Sequence, residues 1–246
     1  MDKLIYTAMS GASQSMQQLA SVANNLANAS TTGFRAEKLS FQALPLAGDG
    51  APTRVFTMDA QAGADLQPGI IQQTGRDLDV AVDGPGWLSV EASDGSEAYT
   101  RNGNLQISAN GVLQTQSGLN VLGDGGEITI PPDTQVTVGK DGTISVIQNG
   151  NLRTAVQVVG RLKLVNPPES DMVKGGDGLF RVKGGAPADA DPSVTVSGGA
   201  LESSNVNVVE AMVGMIQLSR QFDMQMQLMS NAQTNANKAA EIMENF

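Results

Sequence analysis

Small and apolar residues recur over the first 28 positions at steps of three and four: Leu4, Ala8, Gly11, Ser15, Leu19, Val22 and Leu26. This spacing predicts a helix with a narrow seam, not the broad apolar face of a helix laid on a globular core. A second stripe, Val208, Met212, Met215, Ser219, Phe222, Met226 and Met229, falls on one helical line; after a one-residue stutter Ala232, Ala236, Ala239, Met243 and Phe246 extend it. At about 1.5 Å per residue these helices would run roughly 38 Å and about 60 Å. Seams so thin and long cannot bury themselves on a small domain, so the two helices need each other or further copies of the chain.

Between the stripes the pattern changes. Ala27-Asn28-Ala29-Ser30-Thr31-Thr32-Gly33 stops the first helix and turns the chain, with Phe34 as an anchor beyond the turn. Residues 35–75, broken by Pro45, Gly48, Gly50, Pro52, Gly63, Pro68 and Gly69, read as an extended arm with one strand at 70–74. From 76 to 200, Asp83-Gly84, Asp94-Gly95, Asn102-Gly103, Asn110-Gly111, Asp124-Gly125, Asp141-Gly142 and Asn149-Gly150 are turn dipeptides of hairpin type. They separate short β-rich runs at 78–82, 87–90, 99–101, 105–107, 112–114, 128–130, 136–138, 144–147, 156–165, 179–182 and 194–196. The run 156–165 is expected at the centre of the sheet, with Trp87 packed on it. The fold class expected is therefore mainly β with long terminal α-helices: an antiparallel β body (76–200) flanked by an N-terminal helix and turn (1–34) and a C-terminal helix (201–246), both coiled-coil-like. Ser204 or Asn205 is expected to cap the second helix.

Composition narrows the chemistry. The net charge of -10 and the lack of any Lys/Arg cluster on the helices give no footprint for a phosphate backbone, so no nucleic acid is expected as partner. With no Cys there is no disulfide or thiolate, and with no His the commonest general base and zinc ligand are gone. Gly139-Lys140 fails as a phosphate loop because Asp141 stands where a hydroxyl is needed and Thr134 where the first Gly belongs. The pairs Asp189/Asp191 and Asp124/Glu127 lack the alternating oxygens of a calcium loop. Asp77, Asp79 and Asp83 offer carboxylates for sugar-bond cleavage, but Asp beside Gly more often satisfies turn amides. No cofactor, metal or enzymatic activity is expected. No stretch approaches 18 apolar residues and Met1–Tyr6 lacks a secretory h-region, so neither membrane insertion nor a cleavable signal is expected.

The run Ala23-Asn24-Asn25-Leu26-Ala27-Asn28-Ala29-Ser30-Thr31-Thr32-Gly33-Phe34-Arg35 closely resembles the N-terminal signature of the bacterial flagellar rod and hook family, an Asn-rich helix end followed by Thr-x-Gly-Phe and a basic residue. Three further stretches resemble the family in its own order: Leu78 to Leu88, Tyr99 to Gly123, and Leu201-Glu202-Ser203-Ser204-Asn205-Val206 through Val213. The resemblance spans essentially the whole chain. There is no room for the extra domains of the hook subunit, and the opening Ile5-Tyr6-Thr7-Ala8-Met9-Ser10-Gly11-Ala12 is similar to proximal-rod members. Trp87 departs from the Phe common in the family, and Phe222 stands near Arg220 where a Tyr often follows.

The resemblance implies a structural rod subunit in the periplasmic space, exported without a cleavable signal by the flagellar type III apparatus, which disordered ends would suit, with other proximal and distal rod subunits as partners. Its terminal helices would pair within and between subunits, ordered chiefly on assembly, with the β body outward. The implied assembly interface comprises Leu19, Val22, Asn24, Asn25, Leu26, Asn28, Gly33 and Phe34 at the first helix and corner. It continues through Ser204, Asn205, Val206, Met212, Met215, Phe222, Met226 and Met229 on the return. The alternatives are a distal-rod subunit, a secreted trimeric adhesin or tail-like β module, and a β-rich carbohydrate enzyme.

Overall fold

A computed structural model describes residues 2–45, 55–148 and 156–244. The expected turn at Asn149-Gly150 and residue Phe246 lie outside them, as do the side chains of Leu4, Ala239 and Met243. The described residues form two compact units, one drawn from 1–29, 37–63 and 206–246, the other from 30–36 and 64–205.

In the first unit helix α1 (Asp2–Ala27) packs along helix α2 (Val208–Glu244). Their 26 and 37 residues correspond to about 39 Å and about 55 Å. Small side chains on α1 permit the approach: Ala12 and Ser15 are buried, and Ala8, Gly11, Leu19, Val22 and Leu26 are half-buried. On α2 the shielded line is Ala211, Met215, Leu218, Phe222, Gln225, Met229, Ala232 and Ala236. Met215, Phe222 and Met229 thus lie on it, whereas Val208, Met212, Ser219 and Met226 are exposed. At three places the line is displaced by one residue, with Ala211, Leu218 and Gln225 turned inward where Met212, Ser219 and Met226 were expected. Its steps of four and three then run from 211 to 236 with no stutter.

The same unit holds strands β1 (Glu37–Pro45) and β2 (Val55–Ala64), paired with each other in a region read from sequence as an arm with one strand at 70–74. The start of β1 alternates, with Leu39 and Phe41 half-buried and Lys38 and Ser40 exposed, a period-two signal that the flanking Pro and Gly obscured.

The second unit is a body of short strands: β3 (Ile71–Gln73), β4 (Val80–Asp83), β5 (Trp87–Glu91), β6 (Glu97–Thr100), β7 (Leu105–Ile107), β8 (Leu113–Thr115), β9 (Leu122–Gly123) and β10 (Gly126–Glu127). There follow β11 (Thr134–Val138), β12 (Thr143–Gln148), β13 (Gln157–Arg161), β14 (Leu164–Val165), β15 (Met172–Lys174), β16 (Phe180–Val182), β17 (Thr195–Gly198) and β18 (Ala200–Glu202). Their pairings are antiparallel. The largest sheet has the order β14-β5-β6-β16-β15, a second β11-β12-β13, and β17-β4, β18-β3, β7-β8 and β10-β9 are pairs. Val80, Leu88, Leu105, Ile130, Ile144 and Leu162 anchor one apolar cluster; Trp87, Tyr99, Val165 and Phe180 form another.

Two expectations about the strands are corrected. The run 156–165 is not one central strand: it splits into β13 and β14, each at the edge of its sheet, and Val156 and Val158 are 62% exposed. The break falls at Leu162–Lys163, where the backbone turns to bond Gly142 and Leu122, so apolarity there reflects service to two sheets rather than depth in one. Residues 128–130 make a single bridge, Thr129 to Val112, while Ile128 and Ile130 are buried as side chains. Strands β9, β10 and β15 are too short and polar to carry a sequence signal. Trp87 does pack on the end of the expected run, paired with Val165 and 4.5 Å from the Phe180 ring.

Candidate functional site

The acidic residues resolve into turn chemistry. Asp94 and Asp141 each accept the hydroxyl and the amide of the residue two positions on, Ser96 and Thr143, and these bonds hold both carboxyls below their ordinary value. Asp191 does the same with Ser193. Asp79 accepts from Thr74 at 2.7 Å and Asp83 from Ser197 at 2.8 Å. Among the described residues no group of acidic side chains is arranged to hold a metal ion.

Within each unit, asparagine, arginine and glutamate side chains make the most closely bonded polar contacts. On the helical side Asn25 behaves as a strand neighbour to β1: its Nδ2 donates to the Glu37 carbonyl at 2.9 Å and its Oδ1 accepts the Glu37 amide at 2.7 Å. Two reciprocal bonds from one amide fix the strand's start against the end of α1. Asn28 turns back, its Nδ2 donating to the Asn24 carbonyl at 2.9 Å. Val206 is half-buried in this unit. Asn207, not Ser204 or Asn205, caps α2: its Oδ1 accepts the amides of Val209 at 3.1 Å and Glu210 at 3.3 Å. Asn205 is unavailable for that role because its side chain is already committed.

That commitment lies in the β unit. The Asn205 Oδ1 accepts the Ala36 amide at 2.8 Å, and its Nδ2 donates to the carbonyls of Asp65 at 2.9 Å and Gln67 at 3.0 Å. Its own amide donates to the Phe34 carbonyl at 3.3 Å. One side chain thereby holds residues 34–36, 65–67 and 205 of the β unit together. Gly33 donates to the Glu202 carbonyl at 2.8 Å. It adopts φ +67°, and a methyl at its Cα would strike the Arg101 carbonyl, so this position needs glycine on both counts. The half-buried Phe34 ring is covered by the Lys174 ammonium, 4.2 Å from its centroid, which also donates to the Arg35 carbonyl at 3.1 Å. Ser204 is half-buried and its carbonyl accepts from the Ser203 hydroxyl.

Beneath these contacts is a buried ionic cluster that no sequence argument singled out. Arg35, Arg101 and Glu202 are 1%, 3% and 1% exposed. Glu202 Oε1 lies 2.6 Å from Arg35 Nη2 and accepts the Gly69 amide at 2.7 Å, while Oε2 accepts from Arg101 Nη1 at 3.1 Å. Arg101 also donates to the carbonyls of Val82 and Gly84. Two guanidiniums share one carboxylate, and the excess positive charge faces the Trp87 ring, 5.9 Å from Arg35 and 5.3 Å from Arg101. Burial pushes the Arg101 guanidinium below its ordinary value, Glu202 pulls it back, and Arg35 adds to the depression. Arg35, Arg101 and Glu202 each sit inside one of the recognised stretches, but nothing in the local sequence distinguishes a buried charge there from a solvated one.

Comparison with known proteins covers the same stretches. Residues 5–35 match the family described as "Flagella basal body rod protein", 81–146 the "Flagellar hook protein FlgE/F/G D1 domain", and 197–242 the "Flagellar basal body rod FlgEFG protein C-terminal". Each match contributes to the cluster: Arg35 from the first, Trp87 and Arg101 from the second, Glu202 from the third. The chain is 45% identical to the flagellar basal-body rod protein FlgF of Escherichia coli (strain K12), over 99% of each. It is 37% identical to FlgF of Caulobacter vibrioides over 98% of each, and 33% identical to FlgG of Bacillus subtilis over 89% of this chain and 90% of the relative. With matches at both ends and the middle, in order and at full length, the chain belongs to the flagellar basal-body rod protein family.

Proposed function

We propose that this chain is a structural subunit of the bacterial flagellar basal-body rod, at its proximal end, and that it polymerises helically through α1 and α2. The observation that carries this reading is apolar surface left open on a helix pair whose inner seam is already occupied. Val209, Met212, Val213, Ile216, Met224, Met226 and Leu228 on α2, and Tyr6, Met9 and Met16 on α1, are each at least 46% exposed. An apolar face of that extent on a free monomer marks an interface. Unbranched Met suits contacts with non-identical neighbours, and at about 0.8 kcal/mol per buried methylene the gain comes chiefly on assembly. The 4-3 spacing on α2 is that of a coiled-coil strand and its line is taken by α1, so in this reading helices of adjoining subunits pack on the exposed apolar residues outside it. The interface residues expected from sequence divide accordingly. Leu19, Val22, Leu26, Met215, Phe222 and Met229 serve the pairing within a chain and Met212 and Met226 the pairing between chains, while Asn24, Asn25, Asn28, Gly33, Phe34, Ser204, Asn205 and Val206 set the corner.

Identity to the FlgF chains above exceeds that to the Bacillus FlgG, which favours the proximal over the distal rod. The role is architectural, without catalysis or cofactor. The partners are neighbouring rod subunits and, in transit to the periplasmic space, the type III export apparatus; no described helix is long and apolar enough to cross a membrane. A photo-crosslinking amino acid placed at Met226 in flagellated cells tests the division of faces. Crosslinks to other rod subunits are expected from Met226 and none from exposed Asp94 on the β unit; crosslinks confined to the chain itself would refute it.

A further inference from the structure

We infer that Gln225 sets the axial register of α2 against α1. The shielded line of α2 is otherwise apolar: Ala211, Met215, Leu218, Phe222, Met229, Ala232 and Ala236. Such a line repeats every seven residues, and a slide of one heptad, about 10 Å, presents the partner helix with a nearly equivalent surface. Methionine is too adaptable, and alanine too small, to penalise the slide. Gln225 breaks the degeneracy. Its amide lies over the bare Cα of Gly11, where a methyl would stand 2.8 Å from Nε2, and its Oε1 accepts the Ser15 hydroxyl at 3.2 Å. Gly11 and Ser15 are four residues apart, one above the other on the same face, so together they form a notch with a donor at its rim. Ser15 is 2% exposed, which removes water as a substitute partner.

One heptad along the α1 seam, the notch is replaced by Leu4 and Ala8 in one direction and by Gln18 and Val22 in the other; neither pair leaves a bare Cα for the amide to lie over, and neither Ala8 nor Val22 offers the hydroxyl of Ser15. A slipped pair therefore sets the Gln225 amide against a side chain and breaks its bond to Ser15, while the correct pair both seats and satisfies it. This is the use to which a single polar residue in an apolar helix seam is put: it lowers affinity slightly and excludes the alternatives. The inference concerns the chain alone and stands or falls independently of the rod assignment.

The chain has no cysteine, so nitroxide labels on Ala20→Cys of α1 and Gln217→Cys of α2, both exposed positions, report the distance between the helices in the full-length protein by pulsed electron resonance. The parent is expected to give one narrow distance. Gln225→Leu, with helicity retained by circular dichroism, is expected to give a second population displaced by up to about 10 Å, while Met229→Leu leaves the single peak in place. An unchanged single peak in Gln225→Leu, a loss of helix pairing in that variant, or a featureless distribution in the parent would each overturn the inference.

Discussion

Replacing Glu202 with alanine is expected to lower the unfolding free energy by about 3–5 kcal/mol, the range for removing one partner of a buried ion pair. The magnitude follows from what is left behind. Arg35 and Arg101 would remain in a space where both are at most 3% exposed, each beside the Trp87 ring and neither with its carboxylate partner. The Gly69 amide would lose its acceptor as well. Removal of an arginine leaves the carboxylate with the other guanidinium, so Arg35→Met is expected to cost less than Glu202→Ala. The chain's one tryptophan belongs to the cluster, and chemical denaturation followed by its fluorescence reads the effect at the site itself. A loss below about 1 kcal/mol, the net worth of an ordinary hydrogen bond, would show that the cluster is not the anchor described here.

Gly33→Ala is expected to abolish rod formation, and with it motility, while the strands of the β unit stay folded. Two penalties combine. The left-handed backbone costs a side-chain-bearing residue about 1–2 kcal/mol, and the added methyl meets main chain at Arg101, which cannot swing aside as a side-chain tip would. Gly95 separates the two: it has φ +77° and open space around it, so Gly95→Ala incurs the conformational cost alone. Motile cells with Gly95→Ala and non-motile cells with Gly33→Ala, at equal protein levels, are the expected result. Equal motility in the two would mean that docking of residues 33–36 on the β unit does not matter for assembly.

The parts of this fold legible in the sequence were those written in period and punctuation. Seven-residue stripes gave both helices to within a few residues, and Asp-Gly and Asn-Gly turns gave most hairpins, because each depends on local geometry alone. What escaped depended on partners distant in sequence. Whether Met212 or Ala211 faces α1 is decided by the packing of the two helices, and the split of 156–165 by which sheets receive its halves. The cap was assigned to Ser204 or Asn205 by proximity, but tertiary bonds to Ala36, Asp65 and Gln67 claim the Asn205 amide and Asn207 caps the helix. In the site, Gly33, Phe34 and Asn205 were legible from their motifs. The Arg35–Glu202–Arg101 cluster was not, since charged residues in a motif read as surface until the fold shows them buried.

The central claim is that the chain is an axial structural element that assembles through its terminal helices. Deleting its gene in the source organism, imaging the basal bodies, and complementing with either the full-length chain or one lacking residues 207–246 tests it most directly. Cells without rods or filaments, rescued by the full chain and not by the truncated one, are the predicted outcome. Normal flagella in the deletion strain, or rescue by the chain without α2, would contradict it.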